Sequence, residues 1–178
     1  MKDFTKGEPT GWCCGDTKAM LLQVIKELEP KNIAEIGSFK GMSAYFMCKN
    51  SDAHIYCIDH WKGSKEHEKL HNIEFLYDTF IDNMGEYIDR ITPIRASSEV
   101  GLNTLKEVCP EVDMIFIDGD HSYTGATHDI SKCINLFPNA TLCGDDYSWL
   151  SVQEAVNNMA RHYNKQVVTI KERAWKLV

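Results

Sequence analysis

The sequence predicts an α/β fold, helices alternating with a largely parallel sheet, and three observations carry that reading. Short unbroken apolar runs such as Met114-Ile115-Phe116-Ile117 end in glycine and aspartate. Runs of that kind mark strands buried on both faces, whose carboxyl ends are where open α/β sheets bind ligands. Segments with apolar residues at helical spacing separate the runs. No linker, repeat or low-complexity tract interrupts the alternation, so residues 1–178 read as a single domain.

The elements follow in order. Met20, Leu21, Val24, Ile25 and Leu28 recur at helical spacing behind Asp16, a candidate N-cap, and Pro30 closes the segment. Asn32 to Ile36 is a short strand running into Gly37-Ser38-Phe39-Lys40-Gly41, and Met42 to Cys48 begins the next helix. His54 to Asp59 is a second strand. The mixed-charge stretch from His60 to His71 reads as a long loop, a kind of segment that often carries function. Ile73, Leu76, Phe80, Met84 and Tyr87 mark a helix before a third strand, Ile91 to Ala96, which Pro93 keeps near an edge because proline cannot donate to the ladder. Leu102, Leu105 and Val108 mark the next helix, Met114 to Ile117 a strand, and Ala126, Ile130, Cys133 and Phe137 one face of a further helix. Pro138-Asn139 turns the chain into a strand from Ala140 to Cys143. Ser151 and Glu154 form a capping-box pattern ahead of Val152, Val156 and Met159, and two strand-like runs, Gln166 to Ile170 and Ala174 to Val178, close the chain.

A chain of 178 residues buries roughly two thirds of its unfolded surface and needs no covalent staples. Its seven cysteines are odd in number, lack any Cys-x-x-Cys and mostly fall inside apolar segments, which predicts small core residues, a reducing compartment and no zinc. The vicinal pair Cys13-Cys14 is the exception, with a redox or metal role as the alternative. The sequence shows neither a basic, apolar leader nor an apolar run of about 18 residues, so no signal peptide and no membrane span are expected, and the expected location is cytoplasmic. A net charge of -7 without a Lys/Arg stripe argues against nucleic acid as a partner.

The first candidate site is the turn after the first strand. Gly37 and Gly41 let the chain turn sharply and expose backbone N–H groups at a helix start. A dinucleotide fingerprint beginning at Gly37 would need glycine where Phe39 and Met42 stand, so a nicotinamide site is excluded. Glu35 beside the turn favours a cationic ligand group over a pyrophosphate, and Asp59 ends the second strand at the offset where an acid accepts hydrogen bonds from ribose hydroxyls. Together they favour a nucleoside ligand lacking phosphates; a plain tight turn is the alternative.

The second candidate site is the acid cluster Asp118, Asp120, Asp145 and Asp146 at two strand ends; Asp-Gly-Asp and Gly-Asp-Asp as mere turn signals are the alternative. Residues two apart in an extended segment share a face, so Asp118 and Asp120 could both address one crevice. Neighbouring strand tips lie about 5 Å apart, close enough for their carboxylates to share a hard divalent cation, with Mg²⁺ the natural candidate. A hydrogen-bonded loop with one acid protonated is the alternative.

Four segments together resemble one family. Ala34 to Ser43, Cys57 to Ser64, Ile115 to Tyr123 and Gly144 to Tyr147 look like those of class I S-adenosylmethionine-dependent methyltransferases, in the small O-methyltransferase branch that includes macrocin-type sugar methyltransferases. The resemblance covers nearly the whole chain. It implies a Rossmann-like sandwich, a mostly parallel seven-stranded sheet with an antiparallel last strand and helices on both faces. It also implies S-adenosylmethionine bound with Glu35 and the Gly37/Gly41 turn beside the methionine part, Asp59 on the ribose and Ser97-Ser98 near the adenine, with Ser38, Ser43, His60 and Asp118 as further cofactor-binding candidates. Mg²⁺, or another divalent cation, would be held by Asp118, Asp145 and Asp146. Phe39 stands where the family often has a third, central glycine, which leaves the backbone path there open.

The expected activity is therefore O-methylation of a hydroxyl on a small molecule or sugar. Such a hydroxyl is nearly unionised at neutral pH, so a metal and a base are needed to make it attack the sulfonium methyl. Asp120 is the first choice of base and His121 the second, with a role in orienting neighbours as its alternative. Trp61, Tyr147 and Trp149 adjoin the strand-tip loops and suit the walls of a ring-binding pocket, or ordinary packing. Residues 1–15, with Trp12, could cover the pocket. A metal-dependent hydrolase using the acids and a non-catalytic cofactor-binding module are the rival functions. Oligomeric state, a homo-oligomer included, stays open.

Overall fold

A computed structural model of the chain describes residues 13–63 and 73–178. Seven strands form one sheet in the order β3-β2-β1-β4-β5-β7-β6. The strands are β1 (Asn32–Ile36), β2 (His54–Asp59), β3 (Ile91–Arg95), β4 (Met114–Ile117), β5 (Thr141–Gly144), β6 (Val167–Ile170) and β7 (Ala174–Leu177). The first five run parallel, and β7 runs antiparallel to both β5 and β6. This is the mostly parallel seven-stranded architecture with an antiparallel last strand that the resemblance implies. Pro93 sits on β3, at the sheet edge, as the missing N–H demands.

The helices are α1 (Gly15–Leu28), α2 (Met42–Asn50), α3 (Leu76–Met84), α4 (Ser98–Val108), α5 (Tyr123–Leu136) and α6 (Leu150–His162). Side chains alternate across each strand and so split the core in two. Ile33, Ile55, Met114 and Phe116 pack with Met20, Val24, Met47 and Phe80 from α1, α2 and α3. Ala34, Ile36, Ile115 and Ile117 pack with Leu102, Leu105, Ile130 and Val156 from α4, α5 and α6. Cys48, Cys57, Cys109, Cys133 and Cys143 are buried as small core residues, and no described cysteine is in a disulfide. Among the described residues, no helix is long and apolar enough to cross a membrane.

Three local expectations are corrected. Asp16 does not cap α1: Cys14 holds the N-cap position, and Asp16 lies in the first turn, 2.9 Å from Lys171 Nζ. Ser151 and Glu154 make no capping box. Trp149 is the N-cap of α6, and the Ser151 hydroxyl donates to the carbonyl of His121 at 2.6 Å. The segment from Ile73 to Tyr87 is not one helix but a 3₁₀ turn (Ile73–Phe75), α3, and a second 3₁₀ turn (Gly85–Arg90). Gly85 follows Met84 at the break, where it weakens helix propagation. Trp12 and His71 lie outside the described residues, as do most of the proposed covering segment and residues 64–71 of the His60 to His71 loop.

Candidate active site

All five parallel strands end on the same edge, which brings Gly37, Asp59, Ser97, Asp118 and Asp145 to one rim. The turn after β1 passes close over the end of β4. Gly37 has φ 88°, and a Cβ there would lie 2.0 Å from the carbonyl oxygen of Asp118, so the position needs glycine for both its backbone angle and its contact. Gly41, at φ 85°, is the N-cap of α2, where a Cβ would press on Met84 and Phe80. Phe39 adopts the left-handed conformation itself, at φ 46°.

Asp59 holds that path. Its Oδ2 accepts from the Phe39 N–H at 2.8 Å and its Oδ1 from the Trp61 N–H at 2.7 Å, while the Trp61 indole donates back to the Phe39 carbonyl at 2.8 Å. Asn83 ties down the Lys40 carbonyl at 2.9 Å. Each Asp59 oxygen keeps a second lone pair for a ligand hydroxyl. His60 is exposed, with Nδ1 accepting from the Lys62 N–H. Ser97 caps α4 through the Val100 N–H.

Glu35 is fully buried beneath the turn and accepts from the Ser43 hydroxyl through Oε1. Its other oxygen, and the buried Ser38 hydroxyl near it, lack a hydrogen bond of normal geometry among the described residues. Burial pushes the Glu35 carboxyl up to about 7, against the Ser38 and Ser43 hydroxyls, which favour the ionised form. Buried polar atoms left this way cost stability unless a ligand satisfies them, and an ammonium group fits the need. The residues present thus suit the amino-acid end of S-adenosylmethionine.

Across the rim, Asp118, His121 and Asp146 bring one ligand atom each to within 4.8 Å of one another. His121 Nε2 is 3.5 Å from Asp118 Oδ1 and 3.1 Å from Asp146 Oδ2. Burial raises the Asp118 carboxyl above its ordinary range, with the Asp145 charge adding to it. Burial, then Asp118 and Asp145, push Asp146 up to about 6. Acids strained in this way suit a divalent cation that would neutralise them.

Asp145 is not part of this trio. Its Oδ2 accepts from the Thr17 hydroxyl at 2.7 Å, and its Oδ1 accepts from the Asp146 N–H at 2.8 Å and lies 3.2 Å from Arg173 Nε. Asp120 also stands apart. It is exposed, its Oδ1 accepts from the Ser122 N–H at 2.8 Å, and its carboxyl packs so tightly on Gly125 that a Cβ there would come within 2.4 Å. Of the three aromatic candidates, Trp61 is buried core and the Tyr147 hydroxyl donates to Asn157, whereas Trp149 stays 44% exposed with its ring 5.0 Å from that of His121. Sequence reasoning missed Thr17 and Arg173. Neither lies in a motif; the sheet order, which sets β7 beside β5, is the one signal that could have found Arg173.

Comparison with known proteins fits this geometry. The profile of a family described as a methyltransferase domain matches residues 34–147, more than half of the chain. No curated protein sequence matches. Among solved structures, an O-methyltransferase from Bacillus cereus in complex with SAH superposes with a TM-score of 0.70 at 16% identity, covering 96% of this chain and 84% of that one. An SAH-bound methyltransferase from Podospora anserina gives a TM-score of 0.63 at 16% identity, covering 90% and 76%. With the glycine turn, the second-strand acid and this strand order in place, the chain belongs to the class I S-adenosylmethionine-dependent methyltransferases.

Proposed function

We propose that this protein is an O-methyltransferase that carries S-adenosylmethionine across Glu35, Ser38, Asp59 and Ser97 and methylates a hydroxyl of a small molecule or sugar. One observation carries the reading: Gly37, in the cofactor turn, lies directly against the backbone of Asp118, so the cofactor cradle and the Asp118-His121-Asp146 cluster share a wall. A methyl donor in the cradle then faces an acceptor held at the cluster.

Glu35 and Ser38 bind the amino-acid end, and Asp59 accepts from the ribose while fixing the Phe39 turn. Asp118 and Asp146 would hold Mg²⁺, a hard cation that prefers carboxylate oxygens and, when bound, lowers the effective pKa of an acceptor hydroxyl. His121 Nε2 takes the hydroxyl proton. The geometry favours His121 over Asp120, whose carboxylate is engaged with Ser122 and faces Gly125. Trp149, half-exposed beside His121, offers a face for a sugar or aromatic ring. The hydrolase alternative leaves Glu35, Ser38 and the glycine turn without a use.

A methyl-transfer screen of hydroxylated sugars and catechols, with Mg²⁺ and with excess EDTA, tests this. Transfer that needs Mg²⁺ is expected. Full transfer in EDTA would sink the cation, and a chain that binds no SAH in calorimetry would sink the cofactor assignment.

A further inference from the structure

The loop between the two terminal strands reaches into the acid cluster. Lys171, Glu172 and Arg173 connect β6 to β7, and Lys171 and Glu172 take left-handed angles of 48° and 56°. Contacts on several sides fix this turn. Lys171 Nζ pairs with Asp16 at the start of α1, the Arg173 N–H donates to Ile170, and the Arg173 carbonyl accepts from the Tyr147 N–H at 2.7 Å. Two residues farther on, the Trp175 indole donates to the Asp145 carbonyl at 3.0 Å. The guanidinium is therefore delivered to the end of β5 by a rigid backbone.

There it spans two carboxylates. Arg173 Nε lies 3.2 Å from Asp145 Oδ1, and Nη2 lies 3.2 Å from Asp146 Oδ1. With Oδ1 of Asp146 taken, the remaining oxygen, Oδ2, faces His121 Nε2 at 3.1 Å. Asp146 also sits at φ 57°, a left-handed angle that aspartate tolerates better than most residues and that local contacts hold here. Those contacts include its own N–H on Asp145, the Trp149 N–H on its carbonyl at 2.9 Å, and the arginine on both acids. A planar guanidinium can bridge two carboxylates at fixed separation, whereas a lysine ammonium supplies the same charge from one point.

We propose that Arg173 is a positioning residue of the active site: by spanning Asp145 and Asp146 it turns the second oxygen of Asp146 toward His121 and the cation-binding face. Asp145 then serves as the anchor of Arg173 and Thr17 and not as a cation ligand. The inference rests on the proposed O-methyltransferase site.

The test uses the full chain with SAH and with Mn²⁺ as the cation probe. Arg173→Lys and Arg173→Ala should each weaken Mn²⁺ binding at least tenfold in calorimetry while SAH affinity stays within twofold. The ¹⁵N signals of the His121 ring should move in Arg173→Lys as they do in Asp146→Asn. Wild-type Mn²⁺ affinity and His121 signals in Arg173→Lys would reduce the role to bare charge and overturn the inference; so would unchanged Mn²⁺ binding in Arg173→Ala. If the alanine variant unfolds, the lysine variant decides. A wild-type chain that binds SAH but no Mn²⁺ removes the cation from the proposed function, and the His121 signals then decide the placement of Asp146 on their own.

Discussion

The two halves of the site are built by different means. The cradle at the ends of β1 and β2 is held by short-range backbone chemistry: two glycines at positive φ, and one aspartate accepting from the N–H groups of Phe39 and Trp61. The cluster at the ends of β4 and β5 is held by side chains from segments far apart in sequence, with Thr17 from α1 and Arg173 from the last hairpin converging on Asp145 and Asp146. Substitutions in the cradle should therefore change folding stability and cofactor binding together. Substitutions in the cluster should separate chemistry from both.

Gly37→Ala should produce the largest effect and break the comparison most directly. The new Cβ meets the Asp118 carbonyl, a backbone atom that cannot swing away, and alanine disfavours φ 88°. Overpacking and backbone strain together predict a loss of about 3 kcal/mol or more, read in chemical denaturation. Since the clash pushes on Asp118, the variant damages both halves at once. A variant of wild-type stability would mean that the two turns do not touch.

Glu35→Gln sharpens the comparison through pH. The folded Glu35 carboxyl sits near 7, above its ordinary 4.5, so the folded state holds its proton more tightly than the unfolded state. Stability from this group is full below about 4.5 and falls as pH rises to about 7, by on the order of 3 kcal/mol. Cofactor-free wild type should lose that stability across the window relative to Glu35→Gln, and saturating S-adenosylmethionine, with its ammonium group, should restore it. Parallel pH profiles for the two proteins would show that the folded Glu35 carboxyl titrates in its ordinary range and overturn the shift.

Both tests bear on positions whose place in the fold could be read from the sequence. Glu35, Gly37 and Gly41 were legible because they lie in one strand-turn-helix unit whose spacing is written locally, Asp59 because it ends the next strand, and the unbroken apolar run from Met114 to Ile117 placed the rim. The contacts of Asp145 and Asp120 were not. Adjacent acids such as Asp145 and Asp146 look alike in one dimension. Which of them faces the crevice depends on Thr17, 128 residues away, and on Arg173 across the β5–β7 pairing. Asp120 and His121 were likewise separable only once Gly125 and Ser122 had drawn Asp120 to the start of α5. The failed capping box has the same origin: the Ser151 hydroxyl found the His121 carbonyl, a partner that no spacing rule contains.

Asp59→Ala should have the next effect. It removes an acceptor from the ribose and releases the N–H groups of Phe39 and Trp61, so S-adenosylhomocysteine affinity should fall by about 1.5 to 3 kcal/mol, the worth of a hydrogen bond to a charged group. Asp59→Asn keeps one oxygen for the backbone and should recover part of that loss. Calorimetry checks both, and unchanged affinity in the alanine variant would take Asp59 out of the cradle.

The smallest effect, and the most discriminating one for the cluster, belongs to Asp120→Asn. The side chain caps the Ser122 N–H through a single oxygen, which an asparagine amide retains, and it stands outside the trio formed by Asp118, His121 and Asp146. Turnover with an acceptor found in the screen should change by less than about threefold, whereas His121→Gln should lower it by roughly a hundredfold or more, the usual worth of a positioned base. Both variants should bind S-adenosylhomocysteine as the wild type does, because neither residue belongs to the cradle. If the order is reversed, with Asp120→Asn crippled and His121→Gln active, the proton leaves through Asp120, and the loop from Gly119 to Ser122 must turn inward when the acceptor binds.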